Sequence, residues 1–464
     1  MNKKDLMPFH MFNHDGNCYV INVENMQAFA VDNAIGKAIE NIINNPEARI
    51  SPDMEENLKN LGLASEIKEK KEYQKKHELF TIVNMALLLT QSCNLRCIYC
   101  YGNGGEYGTG GSMNEKTAFQ SVDWLLEQSG KAKKINIVFF GGEPFLNFSL
   151  MKKVVEYAEQ KTTELDKIVG FSVTTNATLL DDDKISFIKE HNIHVVISID
   201  GPKKIQDIQR PFADGKGSYD VILPKIKKLL KVLPEACSHA VLLDDKNAHI
   251  VKNALREIGF DGITIAPASA SLFDKDTSNS EKADRKSDYM LNELEIEANA
   301  WLHFIKSRDS KSLKNLMKSS ELYECLMAFL NNRKKIHACG AGLKFVAVSC
   351  SGDIYLCHRF VGIDNYKLGN VFNKCIDREK YQESPINWIE ECTGCFAKYY
   401  CAGGCKHDNA SSCNSAFKPP KDMCCLRRRE TELAAATISM LDNNDRAFLT
   451  EYEIFPPKSC LFDF

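Results

Sequence analysis

Six short apolar runs recur through the middle of this chain, separated by amphipathic stretches, and that rhythm restricts the fold more than any other feature. The runs are Met85–Leu89, Ile135–Phe140, Val169–Val173, Val195–Ile199, Ala240–Leu243 and Ile263–Ala266. Stretches such as Glu115–Gln128 and Leu150–Thr162 lie between them with helical spacing. Alternation on this scale implies a parallel sheet, because parallel neighbours need a crossover long enough for a helix. Six such units predict an α/β fold, an incomplete (β/α)6 barrel over 79–310. Ser269–Lys286 is polar and reads as a loop, and Glu293–Lys306 as a helix.

A cysteine loop follows directly on the first run: Thr90-Gln91-Ser92-Cys93-Asn94-Leu95-Arg96-Cys97-Ile98-Tyr99-Cys100, a C-x3-C-x2-C pattern. Three thiolates on one tight loop suit three corners of a cubane [4Fe–4S] cluster, since soft thiolates select iron–sulfur or zinc. A fourth iron would stay open to the amine and carboxylate of a small molecule. Zinc would need a further ligand, such as a distant His. The loop sits where a barrel strand ends, the face on which catalytic loops of such barrels lie.

The chain carries 18 cysteines in 464 residues. Disulfide frameworks belong mostly to short secreted chains. Here Pro8, His10 and His14 interrupt any apolar signal segment, and no apolar run is long enough to span a membrane. A cytoplasmic protein without membrane partners is expected, and clustered cysteines in a reducing compartment bind metal more often than they pair. The net charge of -3 leaves no electrostatic footprint for nucleic acid. Cys18, Cys237, Cys325, Cys375 and Cys460 lie outside the two clusters and read as ordinary small residues.

The cysteine loop, with Tyr99 before its last cysteine, resembles the signature of the radical S-adenosylmethionine (SAM) superfamily, in which that aromatic lies beside the adenine. Further matches follow at later strand ends. Gly141-Gly142-Glu143-Pro144 resembles the family's GGEP motif: glycines let backbone approach a ligand, and a carboxylate pairs with the methionyl ammonium. Thr175-Asn176 and Ser198-Ile199-Asp200-Gly201 come next. The resemblance implies that Asn176 and Ser198 lie near the ribose or the methionine carboxylate, and that Arg210 faces that carboxylate; a structural role for Asn176 and Arg210 stays open. It also implies the chemistry: the reduced cluster splits SAM, and a 5′-deoxyadenosyl radical abstracts hydrogen from an unactivated carbon.

A second cysteine group fills 339–464. Cys339, Gly352 and Cys357 read C-x12-G-x4-C; then come Cys392-x2-Cys395-x5-Cys401-x3-Cys405 and Cys424-Cys425. This resembles the SPASM extension, which carries two auxiliary [4Fe–4S] clusters, making three in all. A zinc ribbon on Cys392, Cys395, Cys401 and Cys405 is the alternative. By the family's interleaved pattern Cys339, Cys357 and Cys405 hold the first auxiliary cluster, and Cys392, Cys395, Cys401 and Cys424 the second, with Cys425 able to replace Cys424. The stretch Gly340–Phe345 lacks an extra cysteine found in some relatives, so the first auxiliary cluster is expected to keep an open iron unless Cys350 fills it. This region shows little periodicity, and clusters would supply stability that its own core does not.

In 1–78, alternation over Cys18–Val23 and Ala28–Val31 predicts a hairpin, with helices at Asn33–Asn44 and Pro52–Leu61 and a charged helical linker over 66–78. This winged-helix-like module resembles leader-peptide recognition elements, which add a peptide strand to a sheet edge. A helical bridge is expected over 311–338. Across the chain the resemblance is to thioether-forming maturases of six-cysteine and ranthipeptide precursors, and to the maturase of quinohemoprotein amine dehydrogenase. It implies a thioether between a Cys sulfur and an unactivated carbon in a ribosomally made precursor bound by its leader, and a one-electron donor such as flavodoxin or ferredoxin. Carbon–carbon crosslinking and formylglycine formation on a sulfatase are the competing radical chemistries. A non-catalytic iron–sulfur or zinc binding module is the alternative of another class.

Overall fold

The computed structural model describes residues 6–45, 50–64, 80–273, 286–317, 320, 322–373 and 375–452. At the N-terminus β1 (Phe9–His14), β2 (Asn17–Asn22) and β3 (Gln27–Val31) form an antiparallel sheet in that order. The sequence predicts only the β2–β3 hairpin; the histidines at 10 and 14 break the alternation of β1, whose pairing with β2 is settled by tertiary contact. Two helices follow. α1 (Asn33–Asn44) begins where the Asp32 side chain accepts from Ala34 and Ile35 N–H, and α2 (Pro52–Asn60) begins at Ser51, with proline at its first position. The module is therefore three strands then two helices rather than a hairpin with helices. The expected linker over 66–78 lies outside the described residues.

The central sheet contains β4 (Asn84–Gln91), β5 (Gly111–Ser112), β6 (Lys134–Gly141), β7 (Ile168–Thr175), β8 (His194–Ser198), β9 (Cys237–Leu242) and β10 (Ile263–Pro267). The six longer strands run parallel in the order β10-β9-β8-β7-β6-β4, and β5 pairs antiparallel with the end of β4. Each apolar run overlaps one of these parallel strands. α3 (Glu115–Gln128), α4 (Phe148–Glu164), α5 (Asp182–Glu190), α6 (Lys203–Gln209), α7 (Tyr219–Val232) and α8 (Ala248–Ile258) supply the crossovers. β4 is buried along its whole length, as central parallel strands are. Its one polar side chain at the entry, Asn84, is satisfied by Asn136 Nδ2 at 2.7 Å.

The sheet does not stop at β4. β11 (Phe345–Val348) adds parallel to it, and β12 (Asp353–Tyr355) and β13 (Lys367–Asn370) continue antiparallel. The Cys-rich region thus enters the main sheet, across the boundary read at 339, and Phe345–Val348 are fully buried in its core. The helix Lys421–Ser439 also packs into the rest of the molecule. That helix buries Leu433, Ala434 and Ala435 in a second core shared with α9 (Lys286–Lys306), α10 (Ser310–Met317), α11 (Tyr323–Leu330) and Phe12, Tyr19 and Ile21 of the N-terminal sheet. Glu24 accepts from Lys398 and Tyr399, both at 2.7 Å, and the His10 ring stacks on Phe396 at 3.5 Å. The N-terminal sheet is therefore fixed beside the Cys392–Cys401 segment. Among the described residues, no helix is long and apolar enough to cross a membrane.

Candidate functional site

The motifs singled out in the sequence converge at the carboxyl ends of the parallel strands, where open α/β sheets bind ligands. The loop Cys93–Cys100 leaves β4 and is pinned to the segment after α6: Arg96 N–H donates to Pro211 O at 2.8 Å and Ile98 N–H to Gln209 O at 3.0 Å. Cys93, Cys97 and Cys100 are each half-buried. Burial pushes the Cys93 thiol up to about 12, and the charges of Glu143 and Cys97 act in the same direction. Burial also raises Cys97; Arg210 opposes the rise and Cys100 adds to it.

The Gly141-Gly142-Glu143 stretch ends β6 and lies directly against this loop. Gly142 N–H donates to Thr90 O and Glu143 N–H to Ser92 O, at 3.0 and 2.9 Å. A Cβ on Gly142 would stand 2.0 Å from Ser92 O, and one on Gly105 would stand 2.6 Å from Cys93 Cβ. The glycines expected to admit a ligand here admit the cysteine loop. Glu143 is fully buried: Oε1 accepts from Thr175 Oγ1 (2.8 Å) and Phe145 N–H (3.2 Å), and Oε2 from Asn176 N–H (2.8 Å). Burial raises its pKa against these donors. A carboxylate has about four acceptor positions, so one on Oε2 remains for an ammonium. Pro144 is buried and starts a short turn capped by Glu143.

Asn176 Nδ2 donates to Asn94 Oδ1 at 3.0 Å and reaches Cys93 Sγ at 3.7 Å, while its Oδ1 accepts from Thr178. Ser198 ends β8 opposite His239 of β9. Arg210 Nη1 donates to the Tyr99 hydroxyl at 2.5 Å, and that hydroxyl donates to Asp200 Oδ2 at 2.6 Å. Arg210 Nε is buried without a protein acceptor. Burial opposes the Arg210 charge, yet Cys97, Tyr99 and Asp200 hold it well above its ordinary pKa. Asp200, which the sequence reading left without a role, organises this wall. It is fully buried and also accepts from Gln209 Nε2 (2.8 Å) and Val241 N–H (3.0 Å). Its sequence signal is an acid two residues past a parallel strand, before Gly201 at φ +108°.

The C-terminal cysteines separate into two groups by which charges bear on which. Burial pushes Cys357 up to about 12, reinforced by Cys405 and Cys339; Cys405 rises to about 11 from burial, Asp408 and Cys339. Cys392 and Cys424 each rise to about 11 from burial, and each feels Cys401 and Cys395. Cys425 is exposed. Cys350 stands elsewhere: its thiol donates to Leu88 O at 3.3 Å and Gly111 O at 3.6 Å, and burial lifts it to about 12. Of the solitary cysteines, Cys18 and Cys325 are buried free thiols and Cys375 is an exposed one; Cys237 is buried at the start of β9, and Cys460 lies outside the described residues. His407 is buried, with Nδ1 3.7 Å from Asp408.

Thiols whose charges act on one another would suit a shared, soft, cationic group. Among the described residues no three His, Cys, Asp or Glu side chains converge on one ion. Between the first loop and the Cys339–Cys357–Cys405 group stands Tyr101, on whose phenol both Cys100 and Cys357 act. Its ring lies 5.8 Å from His407 and 6.3 Å from His358, and Phe140 packs on His358 at 4.6 Å. A cavity of about 1230 Å³ lies at the opposite, amino-terminal ends of the strands, among Asn84, Asn136, His194 and Glu430. It holds none of these groups.

Residues 87–258 match the model of the Radical SAM superfamily. Over 340 residues the chain is 25% identical to a cysteine-type anaerobic sulfatase-maturating enzyme of Clostridium novyi, covering 69% of this chain and 86% of that one. An uncharacterized protein of Methanocaldococcus jannaschii is 41% identical over 135 residues, which is 29% of this chain and 44% of that protein. The solved structure of native anSMEcpe with bound AdoMet superposes with a TM-score of 0.63 at 19% identity, covering 77% of this chain and 98% of that one. At that identity the likeness is one of fold.

Proposed function

We propose, from the premise that this chain is a radical SAM enzyme with a Cys-rich C-terminal extension, that it oxidises a residue within a peptide or protein substrate, converting a Cys or Ser side chain to formylglycine. The observation that carries the reading is the alignment to a sulfatase-maturating enzyme. It runs to 340 residues, well beyond the radical SAM segment, and takes in 86% of that relative. When bound, SAM on a [4Fe–4S] cluster supplies a 5′-deoxyadenosyl radical that removes hydrogen from an unactivated carbon.

The chain's own residues supply positioning. Cys93, Cys97 and Cys100 would hold the first cluster, with the loop's height fixed by contact with Gly142. The free acceptor position on Glu143 Oε2 suits the methionyl ammonium. Arg210, with its charge secured by Asp200 and an unused Nε–H, suits the methionyl carboxylate. Asn176 and Ser198 would face the ribose, and Tyr99 the adenine. Cys339, Cys357 and Cys405 would hold one auxiliary cluster, and Cys392, Cys395, Cys401 and Cys424 the other. Phe140, Tyr101 and His358 line the space between. The N-terminal sheet, fixed beside the second cysteine group, would dock the substrate polypeptide.

One observation favours a second reading, thioether formation. The charges of Cys339, Cys357 and Cys405 act on one another, and Cys350 is turned away to Leu88 and Gly111. An open iron there would take a substrate thiolate. Mass spectrometry separates the two. A cysteine-bearing peptide encoded beside the gene is co-expressed anaerobically with the native enzyme or with Cys97→Ala. Formylglycine formation exchanges sulfur for oxygen with loss of two hydrogens and yields an aldehyde that captures a hydrazide. A thioether loses two hydrogens, gives no aldehyde and leaves the cysteine unalkylatable. A peptide equally unchanged with both enzymes removes the substrate assignment.

A further inference from the structure

We propose that Arg359 raises the reduction potential of a cluster on Cys339, Cys357 and Cys405 through an N–H···S bond to Cys405, and that Asp408 and Ser269 hold its guanidinium in place. The inference rests on the preceding reading of those three cysteines as one ligand set. Arg359 sits in the short turn His358–Phe360, two residues after Cys357. Its Nη1 lies 3.5 Å from Cys405 Sγ, and its Nη2 lies 3.0 Å from Asp408 Oδ1. Ser269, just past β10, donates to the same Asp408 oxygen at 2.7 Å. The guanidinium also covers the Tyr101 ring, 5.3 Å from its centroid. A carboxylate, an aromatic face and a thiol therefore clamp the group from three sides, with 19% of the side chain exposed.

This arrangement exceeds what an ion pair requires. Arg359 and Asp408 alone would make an ordinary half-buried salt bridge with no reason to aim a donor at sulfur. Asp408 is in turn held by a serine from the far edge of the parallel sheet, so the orientation is fixed from a second element. Guanidinium keeps its charge at any working pH, and its planar fork satisfies an oxygen and a sulfur acceptor together. Donors and positive charge beside a ligating thiolate stabilise the more negative, reduced state of an iron–sulfur cluster, which is one of the protein's levers on potential. In the second group Arg428 also hydrogen-bonds Cys395 and acts on Cys424, but its side chain is exposed and screened by solvent. The two auxiliary sites would therefore differ in potential, the Arg359 site being the readier electron acceptor.

The test uses the full-length protein, reconstituted anaerobically with iron and sulfide in a Cys93→Ala/Cys97→Ala/Cys100→Ala background, so that only C-terminal clusters contribute. Potentiometric titration followed by electron paramagnetic resonance compares Arg359 with Arg359→Lys and Arg359→Gln. The expected result is a negative shift of one of two midpoints, larger for glutamine than for lysine, with the other midpoint fixed and iron content unchanged. If glutamine loses iron, the lysine variant gives the reading. Retained iron with both midpoints unmoved overturns the role of Arg359. A Cys405→Ala variant that keeps the full iron content overturns the ligand assignment instead, and so distinguishes the two failures.

Discussion

Replacing Asp200 by alanine is expected to destabilise the protein by about 3–5 kcal/mol, the cost of breaking a buried ion pair. The magnitude follows from what the carboxylate holds. It is fully buried and accepts from Tyr99, Gln209 and Val241 at 2.6, 2.8 and 3.0 Å. Gln209 keeps a second acceptor, Val241 O at 3.0 Å, and loses least. Val241 N–H and the Tyr99 hydroxyl lose their acceptor, and an orphaned buried donor costs about 1–3 kcal/mol. Arg210, 3.9 Å away and 8% exposed, loses the carboxylate that offsets its charge. These losses overlap, so the ion-pair figure bounds them better than their sum. Urea unfolding of the reduced, full-length protein, followed by fluorescence of Trp124 and Trp301 in the two cores, measures the change. Adding Arg210→Met removes the unpaired cation, so the double variant should be more stable than the two single costs predict, by about 0.5–3 kcal/mol. A single variant within about 0.5 kcal/mol of native, or strict additivity, would refute the argument that this wall is an electrostatic unit.

Three further outcomes are expected. Burial pushes His239 down to about 4; Asp200 opposes this, and Arg210 and Arg359 add to it. An unfolded histidine titrates near about 6.5, so between these values the unfolded chain binds the extra proton. Stability is full above about pH 6.5 and is lost as pH falls toward 4, on the order of 3 kcal/mol at most; His239→Gln should flatten that part of the stability–pH curve, and an unaltered slope would discount the residue. Gly142→Ala sets a Cβ 2.0 Å from Ser92 O, so the cysteine loop must move. We expect about 1–3 kcal/mol of lost stability and loss of iron from the first site, measured after the C-terminal cysteines are replaced; retained iron would show that the loop tolerates the shift. Cys424→Ala should lower the iron bound on reconstitution while Cys425→Ala does not, because Cys424 is grouped with Cys395 and Cys401 whereas Cys425 is exposed. Equal losses would leave the two interchangeable.

The sequence by itself determined the parts that repeat or carry chemistry at fixed spacing. Ile135–Phe140 declared a strand by its apolar run and Val169–Val173 by its apolar alternation, with Phe171 and Val173 buried. The loop Cys93–Cys100, placed after the first run, marked which end of the sheet holds the site. Asn33–Asn44 was legible from its helical pattern. Tertiary structure alone decided what joins distant segments. β1 is a strand because β2 offers it a partner, and Phe345–Val348 joins β4 although four apolar residues have no period to detect. The three turns of small and polar residues around Ala434 became core only where α9 and α11 cover them. The same holds within the site. GGEP was visible, but its glycines answer to the neighbouring cysteine loop, a contact between strand ends 50 residues apart. Asp200 lay inside a matched stretch without a role, and Arg359 outside any, since their roles come from the partners that face them. Local spacing encodes which chemistry is present; only packing fixes which charges meet.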